Sequence, residues 1–249
     1  MNYALVLCSG GVDSATCLGI AVDKYGKDNV SAVSISYGQK HYREIECAEK
    51  IAEYYQVKHY LLDLSELFKY SNCSLLLQST EDVPEGEYAD QISKSDTGVV
   101  STFVPFRNGC MLSAVAALAL SIHPDAETDI YIGAHADDAA GNAYPDCSKV
   151  FTDAMALAID EGSDHRVHVV APLVEWDKAQ VVAEGLKLKV PYHLTTSCYN
   201  GRDESCSLCG TCLDRIAAFK ANGVIDPIKY EVSIDWSGCK KIDYLADKY

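Results

Sequence analysis

The junction at residues 3–25 constrains the fold of this chain more than any other feature. Tyr3–Cys8 is a short, almost wholly apolar run, the pattern of a strand buried on both faces. Ser9-Gly10-Gly11-Val12-Asp13-Ser14 follows at once, and Ser14–Tyr25 then carries apolar residues at helical spacing. Strand, glycine turn and helix in that order begin a parallel βα unit, because a parallel neighbour can be reached only by a crossover. The pattern continues along the chain. Val30–Tyr37 alternates as a second strand, and His41–Tyr55 is a charged, amphipathic helix with Glu46 and Lys50 at i,i+4. Val57–Leu64 is a third strand, Arg107–Ile122 a strongly apolar helix, and Asp129–Gly133 a strand. Ser148–Ile159, Arg166–Pro172 and Lys178–Leu188 then read as helix, strand and helix. This alternation predicts an α/β protein with an open, mostly parallel sheet and helices on both faces. Gln78–Thr102 breaks it with polar and acidic residues and reads as a long loop or small insertion. The tail from Asp226 reads as irregular structure.

The turn also specifies chemistry. Glycines let backbone approach a ligand closely, and the first N–H groups of the following helix face an anion favoured by the helix dipole. Ser9 and Ser14 add hydroxyls, so a phosphate is the expected anion. Asp13 suits that place if it orients the turn or holds Mg2+. The string lacks the Gly-Lys-Ser/Thr of a Walker loop and the G-x-G-x-x-G of a dinucleotide fingerprint.

The chain has 11 cysteines, and seven of them are scattered. The other four, Cys198, Cys206, Cys209 and Cys212, follow the spacing C-x7-C-x2-C-x2-C. Four thiols so placed can close a tetrahedron, which points to one structural zinc per chain that folds a segment too small for its own core. An iron–sulfur cluster or a redox CxxC pair are the other readings of such spacing. An odd total of cysteines argues against a disulfide framework.

Charge excludes a further class. With 21 Lys and Arg against 36 Asp and Glu, the net charge is −15, a poor platform for nucleic acid. No run approaches the roughly 18 apolar residues of a membrane span, so no membrane partner is expected. The first residues lack the charged start of a signal peptide, and the expected location is cytoplasmic.

The string Ser9–Ser14 resembles the SGGxDS pyrophosphate loop of the PP-loop ATP pyrophosphatases, which cleave ATP between its α and β phosphates and activate a substrate oxygen as an adenylate. Further strings narrow the resemblance: Tyr37-Gly38-Gln39-Lys40-His41, Val104-Pro105-Phe106-Arg107-Asn108, Tyr144-Pro145-Asp146-Cys147, Ser197-Cys198-Tyr199-Asn200-Gly201 and the three later cysteines. Together, from about Tyr3 to Phe219, they look like the 7-cyano-7-deazaguanine (preQ0) synthase family of queuosine biosynthesis. That resemblance implies a Rossmann-like (adenine nucleotide alpha hydrolase-like) fold, with a PP-loop domain at 1–190 and a zinc knuckle and helical segment at 191–249. It implies ATP binding by Cys8, Ser9, Gly10, Gly11, Val12, Asp13, Ser14, Ala15, Thr16, Cys17 and Leu18, and zinc held by Cys198, Cys206, Cys209 and Cys212. The reaction implied turns 7-carboxy-7-deazaguanine, ammonia and ATP with Mg2+ into the nitrile, in a homodimer. Asp13 and Ser14 are candidate catalytic residues with three others. Arg107 is a candidate partner for a carboxylate or phosphate, His41 for a proton taken from ammonium, and Lys178 for a phosphate. Asp137 and Asp138 suit Mg2+ or a base edge.

The chain departs from the family pattern in Gly133–Tyr144, at Phe106 and in the acidic stretch Glu81–Asp90. An amide ligase acting on a related carboxylate, a tRNA-modifying PP-loop enzyme and a non-catalytic nucleotide-binding module therefore stay open.

Overall fold

A computed structural model describes residues 2–40, 42–93, 95, 98–139 and 143–244. Among these residues five strands form one parallel sheet: β1 (Tyr3–Leu7), β2 (Val30–Ser36), β3 (Lys58–Asp63), β4 (Thr128–Tyr131) and β5 (Val167–Val170). Their spatial order is β3-β2-β1-β4-β5. Pairing runs Ala4↔Val30 between β1 and β2, and Tyr3↔Thr128 between β1 and β4. Among the described residues nine α-helices connect and flank the strands: α1 (Val12–Tyr25), α2 (Arg43–Tyr55), α3 (Ser65–Phe68), α4 (Tyr88–Ser93), α5 (Arg107–Ile122), α6 (Ala136–Ala139), α7 (Lys149–Gly162), α8 (Lys178–Lys187) and α9 (Gly210–Ala221).

The two faces follow from strand alternation. Ala4 and Val6 of β1 pack with α1, α2 and α8. Leu5 and Leu7 point the other way, into a cluster with Leu112, Val115 and Ala119 of α5 and Ile159 of α7. The chain thus winds outward from β1 to β3 with its helices on one face. It returns across the sheet through α5 and winds outward again from β4 to β5 on the other face. The expected Rossmann-like open sheet with helices on both faces is what the chain forms. Its direction reverses between β1 and β4, which in a doubly wound sheet opens a crevice beyond the strands' carboxyl ends.

The differences from the sequence reading lie at the ends of elements. The strand expected over Asp129–Gly133 is Thr128–Tyr131; Ile132 still bonds to Val170 of β5, and Ile132–Ala134 then line that crevice. The helix expected from His41 is described from Arg43, and His41 itself lies outside the described residues. The segment Gln78–Thr102 carries α4, which apolar periodicity did not announce in so polar a stretch.

The described residues from 191 to 244 pack against the sheet's helices. Ala218 and Phe219 of α9 belong to the same buried cluster as Val12 and Leu18 of α1. The tail is sewn back by bridges Ser205↔Tyr230 and Val224↔Lys240 rather than by regular elements. Among the described residues no helix is long and apolar enough to cross a membrane.

Candidate active site

The crevice at the reversal point is a cleft. Its floor is the end of β1 and the turn after it, with Ser34 and Ile35 of β2 and Ile132–Ala134 beyond β4. Cys8, Ser9, Gly11, Asp13 and Ser14 line it, and so do Arg107 and Lys178. The two ends of the sequence motif have different fates. Val12, Ala15, Cys17 and Leu18 are fully buried in the core beneath the turn, and Thr16 is too, its hydroxyl hydrogen-bonded to Tyr192 at 2.8 Å.

The turn is built to leave the start of α1 open. Gly11 caps that helix with no side-chain hydrogen bond. By contrast α7 is capped by Ser148 and α8 by a full capping box of Asp177 and Gln180. The hydroxyls of Ser9 and Ser14 instead stand 3.2 Å apart, and Ser14 Oγ also donates to the Gly11 carbonyl. An uncapped helix start with two hydroxyls beside it is a site for an anion. Gly10 has φ +86°, a region that only glycine enters freely. A Cβ there would fall on the Glu44 carbonyl oxygen and lie 2.9 Å from Ala48 N, so Gly10 is where the turn packs on α2 rather than where a ligand approaches.

One wall of the cleft is charged and paired. Lys178, the first residue of α8, is buried and sends its ammonium to Asp13 Oδ2 at 2.6 Å. It also donates to His135 Nε2 at 3.2 Å, and the same imidazole lies 3.3 Å from Asp138 Oδ2. Asp137 accepts from the Lys178 backbone N–H at 2.8 Å. Burial pushes the Asp13 carboxyl up, but Lys178 and His135 outweigh it and hold it below the usual carboxylate range. Asp214 of α9 faces the same cluster and is pushed up to about 6 by burial, with Lys178 pulling it back. Asp13 Oδ1 is buried with no hydrogen-bond partner among the described residues. A bare carboxylate oxygen among several carboxylates and one ammonium fits a hard divalent cation such as Mg2+.

The opposite wall is different. Arg107 opens α5, donates to Tyr37 Oη at 3.2 Å and lies over that ring at 5.2 Å. It is set there by Phe106, which adopts φ +56° and lays its ring over Gly109, where a Cβ would collide with it. Glu44 of α2 is half-buried and lines the cleft with them. Its carboxyl makes no hydrogen bond or ion pair among the described residues. Burial pushes it up to about 7, only partly offset by Arg107.

Beyond the cleft rim the four cysteines come together as the spacing predicts. Their sulfur atoms all lie within 4.8 Å of one another, and all four residues are buried. Sulfurs on a tetrahedral zinc at ~2.3 Å stand about 3.8 Å apart, and Cys206 Sγ and Cys212 Sγ are separated by 4.0 Å. Backbone N–H groups of Cys206 and Cys209 point at Cys198 Sγ and Cys206 Sγ, at 3.3 and 3.4 Å, as they do toward thiolates. The donor set fits zinc. The knuckle is fixed to the cleft by Arg215. Its guanidinium is wholly buried, paired to Asp226 at 2.7 and 2.9 Å, and donates to Thr195 and Ser197 just before Cys198. Tyr199 then reaches the cleft. Its hydroxyl meets Tyr144 at 3.2 Å and Tyr88 of α4 at 3.1 Å, so the acidic insertion roofs the site.

Three of these residues escaped the sequence reading. Glu44 was absorbed into an amphipathic helix, Asp214 into the segment after the knuckle, and Arg215 has no motif around it at all. Only the placement of Glu44 three residues after the string Tyr37–His41 carried a signal.

A doubly wound sheet with an open helix start and a paired lysine at its reversal point defines an α/β protein whose crevice is suited to an anion. The chain matches the family model for Queuosine biosynthesis protein QueC over residues 3–223, and it belongs to that family. It is 41% identical over 233 residues to a 7-cyano-7-deazaguanine synthase of Caldicellulosiruptor saccharolyticus, covering 94% of this chain and 97% of that one. It is 40% identical over 243 residues to a 7-cyano-7-deazaguanine synthase of Archaeoglobus fulgidus, covering 96% and 94%. Among solved structures it is similar to an NMN synthetase from Francisella tularensis, with a TM-score of 0.48, 13% identity and coverage of 95% and 80%.

Proposed function

We propose that this chain is an ATP-dependent ligase that converts 7-carboxy-7-deazaguanine and ammonia into 7-cyano-7-deazaguanine. The cleft's make-up carries this reading. One crevice joins an uncapped helix start for phosphate to unspent cationic and carboxyl groups for a second ligand, in a chain 41% identical to a named synthase.

A carboxylate is a poor electrophile, because ammonia would have to expel oxide. The ATP phosphates lie along Ser9, Gly11 and Ser14 at the start of α1, where N–H groups and dipole offset their charge. Lys178 draws on the departing pyrophosphate while Asp13 holds its ammonium in place. Arg107 orients the substrate carboxylate. A carboxylate oxygen attacks the α-phosphorus and pyrophosphate leaves. Ammonia then attacks the acyl carbon, AMP leaves, and nitrogen loses a proton to give the amide. A second ATP takes the amide oxygen in the same way, and loss of AMP with the remaining N–H protons gives the nitrile. Mg2+ bound at Asp13 Oδ1 would neutralise charge on the transferring phosphates. Cys198, Cys206, Cys209 and Cys212 would hold a zinc ion with four thiolates, and its part would be structural.

Counting AMP tests the scheme. Two AMP and two pyrophosphates should appear per nitrile, and the amide should itself be accepted without ammonia. One AMP per turnover with the amide as final product would make this an amide-forming relative.

A further inference from the structure

Glu44 is the group that the proposed chemistry leaves unused. It is a carboxyl half-buried in the cleft wall, with no hydrogen bond or ion pair among the described residues. Burying an ionisable group without a partner costs stability, so such a group persists where a ligand supplies the missing partner. Its position is firmly set. The backbone of the first turn of α2 is pressed against Gly10, whose lack of a Cβ permits the contact, which fixes where the Glu44 main chain sits. Arg107 and Tyr37 share that wall, and they too have polar atoms to spare for a ligand.

A carboxyl with no donor in hydrogen-bond contact has room for a ligand edge that presents donors. A guanine-type ring has one. Its N1–H and exocyclic 2-amino group lie side by side, and a single carboxylate accepts from both in the fork geometry that makes such pairs selective. The reacting carboxyl group sits on the five-membered ring, at the other end of the molecule. Glu44 and Lys178 both line this one cleft, so it offers the two ends of the molecule a carboxyl and an ammonium on different elements, α2 and α8. An adenine edge pairs less well, since beside its 6-amino donor it presents a ring acceptor. We infer that Glu44 is the specificity-determining residue of this site, and that it reads the N1–H and 2-amino edge of a 7-deazaguanine substrate. The inference rests on the synthase reading above and deepens it.

The test compares 7-carboxy-7-deazaguanine with its 2-deamino analogue, which keeps N1–H and the reacting carboxyl but lacks the exocyclic amine. The readout is kcat/KM for AMP release, with the KM for ATP measured alongside. Hydrogen bonds to a charged group are worth about 1.5–3 kcal/mol, so the wild-type protein should prefer the 2-amino substrate by about 10- to 150-fold. In Glu44→Gln that preference should shrink to within a few-fold, through a larger loss on the 2-amino substrate than on the analogue, with the KM for ATP unmoved. Glu44→Asp withdraws the carboxylate by one methylene and should give an intermediate preference. A role confined to holding the wall would lower both substrates equally and leave the ratio intact, which overturns the inference. A raised KM for ATP overturns it too, because Glu44 would then face adenine. Should neither variant fold, a wild-type protein indifferent to the 2-amino group is enough to overturn it. Wild-type protein that releases no AMP with the acid breaks the synthase reading itself, whereas AMP release with an unchanged ratio breaks this inference alone.

Discussion

Asp13 and Glu44 are both carboxyls lining one cleft, and they are held in opposite ways. Asp13 has a buried ammonium at 2.6 Å and an imidazole beyond it, and its carboxyl is held below the usual range despite burial. Glu44 has the same low-dielectric surroundings with no partner in contact, and burial pushes it up to about 7. The difference separates preorganisation from recognition. A group that must carry fixed charge during a reaction is paired in advance, so that nothing reorganises when phosphate charge moves. A group that selects a ligand is left wanting, so that the ligand completes it.

The contrast depends on how the phosphate turn and α2 are joined, at the point where Gly10 meets the first turn of α2. The largest effect should come from Gly10→Val. Its Cβ would fall on the Glu44 carbonyl and its φ of +86° disfavours any branched residue. The expected outcome is little soluble, folded protein, read by circular dichroism and a melting curve. A well-folded Gly10→Val protein with a wild-type melting curve would mean that the walls do not meet as described.

Lys178→Met comes next. Removing one member of a buried ion pair strands the other, at a cost of about 3–5 kcal/mol. Urea unfolding should show that loss, and AMP release should fall by at least about 10²-fold, the scale seen when one charge-stabilising donor is removed. An equal loss of AMP release without any loss of stability would mean that Lys178 serves the phosphate alone and leaves Asp13 to another partner.

A smaller effect distinguishes the two carboxyls by the sign of their pH response. Asp13 has a depressed folded pKa, so its contribution to stability is present above the usual 3.8 and is lost as pH falls below that. Glu44 is raised from 4.5 to about 7, so its contribution is full below about 4.5 and is lost as pH rises through about 7. Urea unfolding of wild type and Glu44→Gln across that window should show the wild type losing ground as pH rises, while the variant is flat at this site. Parallel pH profiles would show that Glu44 already has a partner.

How much of this was legible beforehand divides along the same line. The strand–turn–helix at Tyr3–Tyr25, the alternating layers and the four-cysteine knuckle all rest on local signals, namely glycine at a tight turn, apolar periodicity and fixed ligand spacing. Each could be read because the residues concerned are neighbours in sequence. Lys178 and Arg107 were found only through strings resembling a family. The pairing of Lys178 with Asp13, 165 positions away, exists only once the sheet has brought α8 beside α1. Glu44 and Arg215 stayed hidden for another reason. On a helix with an exposed charged face, one inward carboxyl looks like any other, and a buried arginine announces itself only by the Asp226 and Thr195 that surround it.

The smallest effect lies at the roof, where the acidic insertion touches the site. Tyr88 of α4 shares its hydroxyl with Tyr199, which also meets Tyr144, and burial pushes all three phenols up. The backbone already pins the insertion to the knuckle, through Gly86 N–H to the Leu208 carbonyl at 2.9 Å and a bridge from Glu85 to Cys209. Tyr88→Phe keeps the ring and its edge-to-face packing on Tyr144, and removes one neutral hydrogen bond worth about 1 kcal/mol. The loss should show as a slightly lower urea midpoint, with AMP release changed by no more than about three-fold, since Tyr199 keeps its bond to Tyr144 and its place in the cleft. A drop of about 10²-fold in AMP release with the fold intact would show instead that the insertion is part of the catalytic wall. Tyr88 would then stand with Asp13 among the groups fixed in advance, and α4 would have to be counted as a third wall of the cleft.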